Sequence, residues 1–491
     1  MDAAITAHLC VEVVNCHSTG LGGGGFLLAY EKGGSATQGD TVLVPGVLKG
    51  LEMGHKKMGK LPWRDLFEEP IKLASEGFLM HEALAHAISK KKDYILANLG
   101  LREVFAPEGY ILTLGQRVKR TKLAETFRKI ADSGSADIFY KGEFAMDIVK
   151  DIQEAGGSIT MEDLKGYKAF IRKPISTRIL NMTMYGVPPP ASSVTVAMML
   201  KLMESSGFFY LGFQWTKRTL KEKPGLFYHQ MVEAMKFANA PTTFLGDPKY
   251  VKNTSEIVKN MLDDQYINEI FQKIDSKSHR VEYYGPFSDH HREYTGTSHI
   301  SVVGPDGDAV AITSSINAHF GARIMSRRLG FIYNNELSDF SDFWPKVYNF
   351  STDGKIPGKR PLSKVSPLIF TNDEGEVEIV VGAAGGFFIP SALSSTLSFF
   401  LFLHDNLTTA IARPRIHCQL FPPTVVVEQT FPIDIIPLLN QYDHHFVTND
   451  TYSATGQSNA IMGVIQAIAR DKDGDYIAVC DYRKGGLPAG Y

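Results

Sequence analysis

Four cysteines in 491 residues, Cys10, Cys16, Cys418 and Cys480, are too few for a disulfide framework, and no metal-type CxxC pair occurs. Cys10 and Cys16 sit in an apolar segment and read as core residues. No apolar run reaches the roughly 18 residues that can span a bilayer, and no leader with a charged start and an apolar middle opens the chain. Net charge is nearly absent: 51 basic against 53 acidic residues leave −2. Such a chain has no strong field to recruit nucleic acid or an anionic membrane. Lys90-Lys91-Lys92 and Arg327-Arg328 are short basic clusters and read as solvated faces. No segment repeats at a fixed period. What is present is ordinary globular composition, 44% apolar and 21% charged. The length suits about two to four units, or one large α/β domain with insertions. The opening MDAAITAHLCVEVVN is apolar and helix-like, whereas a native N-terminus is usually polar and frayed, so a start is expected to be missing. Glycosylation patterns at Asn181, Asn253, Asn349, Asn406 and Asn449 are compatible with a secreted chain.

Residues 1–30 read as a helix, a glycine hinge at GLGGGG (20–25) and a strand, FLLAY. The hinge fits GxGxxG at Gly20, Gly22 and Gly25, but a dinucleotide site needs a helix directly after it and a strand follows instead. Close backbone packing is the better reading. Residues 50–280 are mostly helical in pattern. LPWRDLFEEPIKLASEGF ends at a C-cap-like Gly77, and Thr160-Met161-Glu162-Asp163 resembles a helix start. PPPASS (188–193) is a loop before the helix VTVAMMLKLMES. From residue 297 strand-like runs alternate with glycine turns: ISVV, DAVAIT, GFIYN, VEIVVGAAGG, then TVVVEQ and DYIAVCDYR. A long apolar helix, IPSALSSTLSFFLFLH (389–404), lies among them. Strands inside and helices outside are the layers this pattern predicts.

The segment YTGTSHISVVGPDGDAVAITSSIN (294–317) reads as two strands around a two-residue Asp306-Gly307 turn. That register sets Thr297 opposite Ile316, beside Ser315 and Asn317, so a hydroxyl cluster meets a polar cluster across the pair. Thr297, His299 and Ser301 share one face of the first strand. A threonine hydroxyl is a weak nucleophile and needs a base. One solution is the threonine's own α-amine, freed by cutting the bond before it, and that amine titrates near pH 8. Gly296 would leave that bond open to attack. The hairpin alone equally allows a cross-strand hydroxyl pair that serves only the sheet.

Two further segments bear on this choice. VEIVVGAAGGFFIPSALSS is a strand, a Gly-Gly turn and a helix start. The N–H groups of Gly385 and Gly386 can form an oxyanion hole there, or the turn is simply tight. GFIYNNELSDF runs into Glu336 and Asp339, whose spacing can clamp an ammonium or mark a solvated turn. Asp289-His290-His291 and Asp443-His444-His445 each lack a spaced third ligand and read as loop surface rather than metal sites.

YTGTSHISVVGPDGDAVAITSSINAHFGARI, NNELSDFS, RPLSKVSP, VGAAGG and the terminal DYRKGGLPAGY together resemble the γ-glutamyltransferase (γ-glutamyl transpeptidase) family. HSTGLGGGGF, VPGVLKG, LPWRDLF, YHQMVEAMKFA and LGDPKY extend the likeness over nearly the whole chain. The resemblance implies an α+β fold, the αββα sandwich of the N-terminal nucleophile hydrolases. It implies self-cleavage at Gly296–Thr297 into a large subunit, 1–296, and a small one, 297–491. Thr297 is then nucleophile and, through its amine, base. Ser315 stands where the family usually has a second threonine that supports the nucleophile. Gly385 and Gly386 match oxyanion-hole glycines. Asn317, Glu336 and Asp339 match residues that hold the substrate α-amino group, and Ser363 matches a serine at its α-carboxylate. The implied partners are glutathione or its conjugates, such as leukotriene C4, and acceptor amino acids or dipeptides. No cofactor or metal is implied. The implied location is the outer face of the plasma membrane or the extracellular space.

The chain departs from the family pattern in three places. After FLLAYEK it jumps to GGSATQGDTVLVPG, where the family has a strand and an arginine that binds the donor α-carboxylate. Lys364 stands where the family often has a second serine, and its charge can serve the same carboxylate or remain solvated. The family's N-terminal anchor and first helix are absent. A truncated, inactive member is therefore a second reading. A β-lactam acylase of the same fold is a third, against which Glu336 and Asp339 argue.

Overall fold

A five-stranded antiparallel sheet organises the first of two compact units, Met1–Lys173 with Tyr294–Leu337. The second unit is Pro174–Glu293 with Ser338–Tyr491. Each unit takes chain from both sides of the Gly296–Thr297 bond. The computed structural model describes residues 1–32, 37–41, 44–211, 215–286, 296–340, 356–448 and 462–490. Asp289-His290-His291, Asn349 and Asn449 lie outside them.

In the first unit the strand order is Phe170–Arg172, Thr37–Thr41, Gly24–Tyr30, Ala309–Asn317, Gly296–Val303. Ala309–Asn317 has a neighbour on either side, and all but one of its side chains are buried, so its run of small and β-branched residues fits. Helix Asp2–Val14 buries Ala4, Ile5, His8, Leu9, Glu12 and Val13, a stripe at helical spacing that packs into the core. The glycine hinge exists for close packing, as its sequence suggested. A Cβ on Gly22 would lie 2.0 Å from Ile332 O, and one on Gly23 would lie 2.3 Å from Ser315 O. Strand Gly24–Tyr30 follows it, not a helix, and the dinucleotide reading falls.

In the second unit six antiparallel strands run in the order Tyr476–Cys480, Val464–Arg470, Val377–Ala384, Leu368–Thr371, Met182–Gly186, Ile175–Ile179. Helices Ser193–Leu211, Pro224–Thr242 and Phe388–Leu401 belong to the same unit. The α+β class is as expected. The helix start at Thr160 is a capping box, with Thr160 and Asp163 each bonding the other's backbone N–H.

Three expectations need correction. The turn after Val303 is not a two-residue loop. Gly304 N donates to Asp308 O and Gly307 N donates to Gly304 O, so Pro305 and Asp306 are the central residues and Gly307 adopts φ +80°. A type I turn followed by a left-handed glycine makes a three-residue loop. Thr297 therefore faces Ser315 itself, and a bulge between Gly296 and Thr297 sets Gly296 opposite Asn317. GFIYN is not a strand; a lone bridge joins Ile332 to Met325. The helical reading of 50–280 also overlooked the strands between Phe170 and Gly186, although ISTRI carries their alternation.

Candidate active site

The end of the hairpin forms a directional chain of hydrogen bonds. Thr297 is buried, and its Oγ1 donates to Ser315 Oγ at 3.1 Å. Ser315 Oγ donates to the carbonyl O of Gly296 at 2.8 Å and accepts from Asn317 N at 2.8 Å. The nucleophile candidate and the carbonyl of the bond before it thus share one hydroxyl. Gly296 is required here, because a Cβ would lie 2.4 Å from Ala318 O. Asn317 takes φ +72°, which asparagine tolerates better than most residues.

Asn335 and Asn334 fix this end of the strand, and sequence reading gave neither a role. Asn335 Oδ1 accepts from Ala318 N at 2.9 Å, and Asn335 O accepts from Asn317 Nδ2 at 3.3 Å. Asn334 Nδ2 donates to Gly22 O at 2.7 Å, and Asn334 Oδ1 caps Glu336 N at 3.0 Å. Glu336 is buried at the start of the 3-10 turn Glu336–Asp339, whose last residue is Asp339. Their spacing of three places them at opposite ends of that turn.

The opposite face of the hairpin is also hydroxylated. Ser298 accepts from Asn15 Nδ2, and Ser314 bonds Thr19 Oγ1 at 2.5 Å. Back on the Thr297 face, His299 bonds Thr313 Oγ1 at 2.7 Å and Ser301 Oγ at 3.0 Å. Burial, with His8 nearby, lowers its pKa to about 3, so it is a neutral member of the sheet rather than a base at pH 7.

In the second unit, Gly385 and Gly386 link strand Val377–Ala384 to helix Phe388–Leu401. Their φ angles are +129° and +59°, and a Cβ on Gly385 would lie 2.9 Å from Gly463 Cα. Only glycine suits the first position. Neither N–H finds a backbone acceptor among the described residues. Ser363 and Lys364 lie just before strand Leu368–Thr371 of the same unit, and the Lys364 ammonium sits 5.4 Å from the centre of the Phe387 ring. Burial lowers its pKa to about 8.

No arginine occurs in the first 63 residues. The earliest in the chain is Arg64, exposed and paired with Asp132. Arg120 is buried but donates to the carbonyls of Glu12, Val13 and Gly330. The strand after the jump, Thr37–Thr41, contains none.

One cluster contradicts the surface reading of Asp443-His444-His445. Asp443 and His445 are exposed, but His444 is 3% exposed and meets His229 and Glu233 of helix Pro224–Thr242. Three ligand-type groups converge here, yet Lys236 already supplies the cation. Its ammonium lies 3.1 Å from Glu233 and 3.4 Å from His444 Nδ1, and donates to Ser278 at 2.6 Å. His229 Nε2 donates to Asp275 O, so its Nδ1 is left to accept from His444 Nε2. Burial lowers the pKa of His229 to about 4 and of His444 to about 2. The cluster is a closed network around one ion pair.

The Gamma-glutamyltranspeptidase family model matches residues 1–40 and 34–491. Its two segments join inside the jump after FLLAYEK. The chain is 35% identical to Scoloptoxin SSD14 of Scolopendra dehaani, over 99% of this chain and 87% of the relative. That alignment spans 528 positions, so the relative has positions that this chain lacks. It is 32% identical to Glutathione hydrolase 2 of Arabidopsis thaliana, over all of this chain and 89% of the relative. Among solved structures, the cephalosporin acylase of Bacillus halodurans superposes with a TM-score of 0.83 at 22% identity, over all of this chain and 91% of that one. That likeness establishes the fold and not the substrate.

Proposed function

The chain belongs to the γ-glutamyltranspeptidase family, and from that premise we propose that it is a self-processing γ-glutamyl hydrolase and transferase with Thr297 as nucleophile. The observation that carries this reading is the bond chain Thr297–Ser315–Gly296 O. In the uncut chain, Thr297 Oγ1 attacks the Gly296 carbonyl carbon while Ser315 holds the carbonyl oxygen. The peptide C–N bond breaks as the Oγ1 ester forms, which frees the Thr297 α-amine and passes it the Oγ1 proton; water then hydrolyses the ester to the Gly296 carboxylate and the Thr297 hydroxyl. That amine takes the Oγ1 proton in the second reaction, attack on the γ-amide carbonyl of glutathione or a related donor. The cysteinylglycine amine, or its equivalent in a conjugate such as leukotriene C4, leaves with a proton. Water, an amino acid or a dipeptide then takes the γ-glutamyl group from Thr297.

Gly385 and Gly386 supply oxyanion donors in this reading. Asn317, Glu336 and Asp339 hold the donor ammonium, and Ser363 and Lys364 hold its α-carboxylate. The products, 1–296 and 297–491, stay together because each compact unit contains chain from both. A location outside the cell or on the outer face of its membrane belongs to the same reading, supported by exposed sequon asparagines at 181, 253 and 406. No helix among the described residues is long and apolar enough to cross a membrane.

The absent arginine favours one alternative, a chain that cuts itself but holds donors poorly. Release of p-nitroaniline from γ-glutamyl p-nitroanilide tests the choice. Turnover that vanishes with Thr297→Ala supports the enzyme. Correct cleavage with no turnover at any donor concentration supports the alternative.

A further inference from the structure

The segment before and through Ser363 and Lys364 is held by partners to which the sequence reading gave no role. Arg360 makes a two-pronged contact with Asp247: Nε donates to Oδ2 and Nη2 donates to Oδ1, both at 2.9 Å. Arg360 N adds a third bond to Oδ2 at 3.2 Å. Asp247 is 2% exposed, so this fork works in a largely dry setting, where paired, charge-assisted contacts are strong and directional. Burial alone would raise the Asp247 pKa; the Arg360 guanidinium and backbone N–H groups bring it below the usual carboxylate range.

Three residues further on, the backbone of Ser363 is gripped on both sides. Its N–H donates to Pro190 O at 2.7 Å, and its carbonyl accepts from Ser192 Oγ at 2.7 Å. Ser192 N donates to Val365 O at 3.0 Å, so one serine spans Lys364 by bonding the residue before it and the residue after it. The Ser363 hydroxyl is not used in this grip, apart from a long 3.4 Å bond that it accepts from Val365 N, and it donates to no partner among the described residues. The Lys364 side chain has no acidic partner among the described residues. The bracing is thus spent on the backbone, and the two side chains that would meet a ligand are left to do so.

We infer that Asp247, Arg360 and Ser192 form a brace that sets Ser363 and Lys364 for the donor α-carboxylate, with Asp247 and Ser192 as positioning residues. The inference rests on the reading of Ser363 and Lys364 as the carboxylate site. It explains how a lysine can stand in for an arginine: a flexible point charge recognises a carboxylate with selectivity only if its backbone cannot drift. A brace of this kind acts on donor binding far more than on the chemical step.

The test uses the full chain and two donors, γ-glutamyl p-nitroanilide and γ-aminobutyryl p-nitroanilide, which lacks the α-carboxylate. Asp247→Asn and Ser192→Ala are expected to raise KM for the first donor about tenfold with kcat changed by less than about threefold, a loss of binding alone. KM for the second donor should not move, and Ser192→Thr should restore the first. Self-cleavage to the wild-type band pattern reports that each variant has folded. If Asp247→Asn does not cleave, the comparison of Ser192→Ala with Ser192→Thr decides. Equal losses on both donors, or a fall in kcat alone, would overturn the brace. Ser363→Ala and Lys364→Met separate the two levels. If they leave KM for γ-glutamyl p-nitroanilide unchanged, the carboxylate site is misassigned and the brace falls with it. If they raise it and the Asp247 and Ser192 variants do not, only the brace is wrong.

Discussion

Two buried polar clusters, one in each compact unit, solve the same problem in opposite ways. At the end of the hairpin the bonded chain is made of uncharged groups, and the bonds run one way, from Thr297 through Ser315 to a peptide carbonyl. On helix Pro224–Thr242 the cluster is charged and closed. Lys236, Glu233, His444, His229 and Tyr284 bond one another, and Lys236 and His229 use their further donors on Ser278 and the Asp275 carbonyl. A directional chain ending on an electrophile is suited to chemistry. A closed network is suited to fixing the shape of its surroundings.

The comparison breaks most sharply at Thr297. Thr297→Ala removes the attacking oxygen, so a single uncut chain with turnover lower by at least about a thousandfold is expected. A gel and a donor assay check both. Next is Glu233→Ala, which leaves the Lys236 ammonium buried and unpaired and should cost about 3–5 kcal/mol of stability. Chemical denaturation reads this, and protein that remains folded should still cleave itself. Loss of cleavage in a stable Glu233 variant would mean that the two clusters are not distinct in kind.

Ser315→Ala comes third. Losing one donor to a developing oxyanion slows a reaction by about a hundredfold, and the same slowing of self-cleavage is expected here. Ser315→Thr should restore it, because the hydroxyl is what matters. A smaller effect sharpens the comparison from the second unit. Burial lowers the Lys364 pKa to about 8, so the ammonium is present below that pH and is lost above it. Donor KM should therefore rise above pH 8, by up to about tenfold per unit. Lys364→Arg, which stays charged, should flatten the rise.

The sequence made the first cluster legible and hid the second. The hydroxyl-rich ends of the two strands and the small Pro-Asp-Gly turn between them sufficed to bring Thr297 near Ser315. They did not fix the register to the residue, because turn length depends on whether Gly307 or Asp306 takes the last turn position. Gly296 read as a position needing an open peptide bond. Its tighter constraint, contact with Ala318 O, comes from a bulge that no local pattern announces. His444 read as surface because its cluster has no spaced third ligand nearby in the sequence, and its burial depends on a helix about 200 residues earlier in the chain. Asp247 and Arg360 sit in LGDPKY and RPLSKVSP, segments that carried the family likeness, but neither had a role until the fold paired them. GFIYN illustrates the converse: strand-forming residues that find a single bridge remain irregular.

The central claim is that Thr297 attacks the bond before it. Its most direct test is a denaturing gel of the purified chain with N-terminal sequencing of the smaller band. The account predicts two bands, the smaller beginning Thr-Ser-His-Ile. A single uncut band, or a smaller band that begins at any other residue, would contradict it.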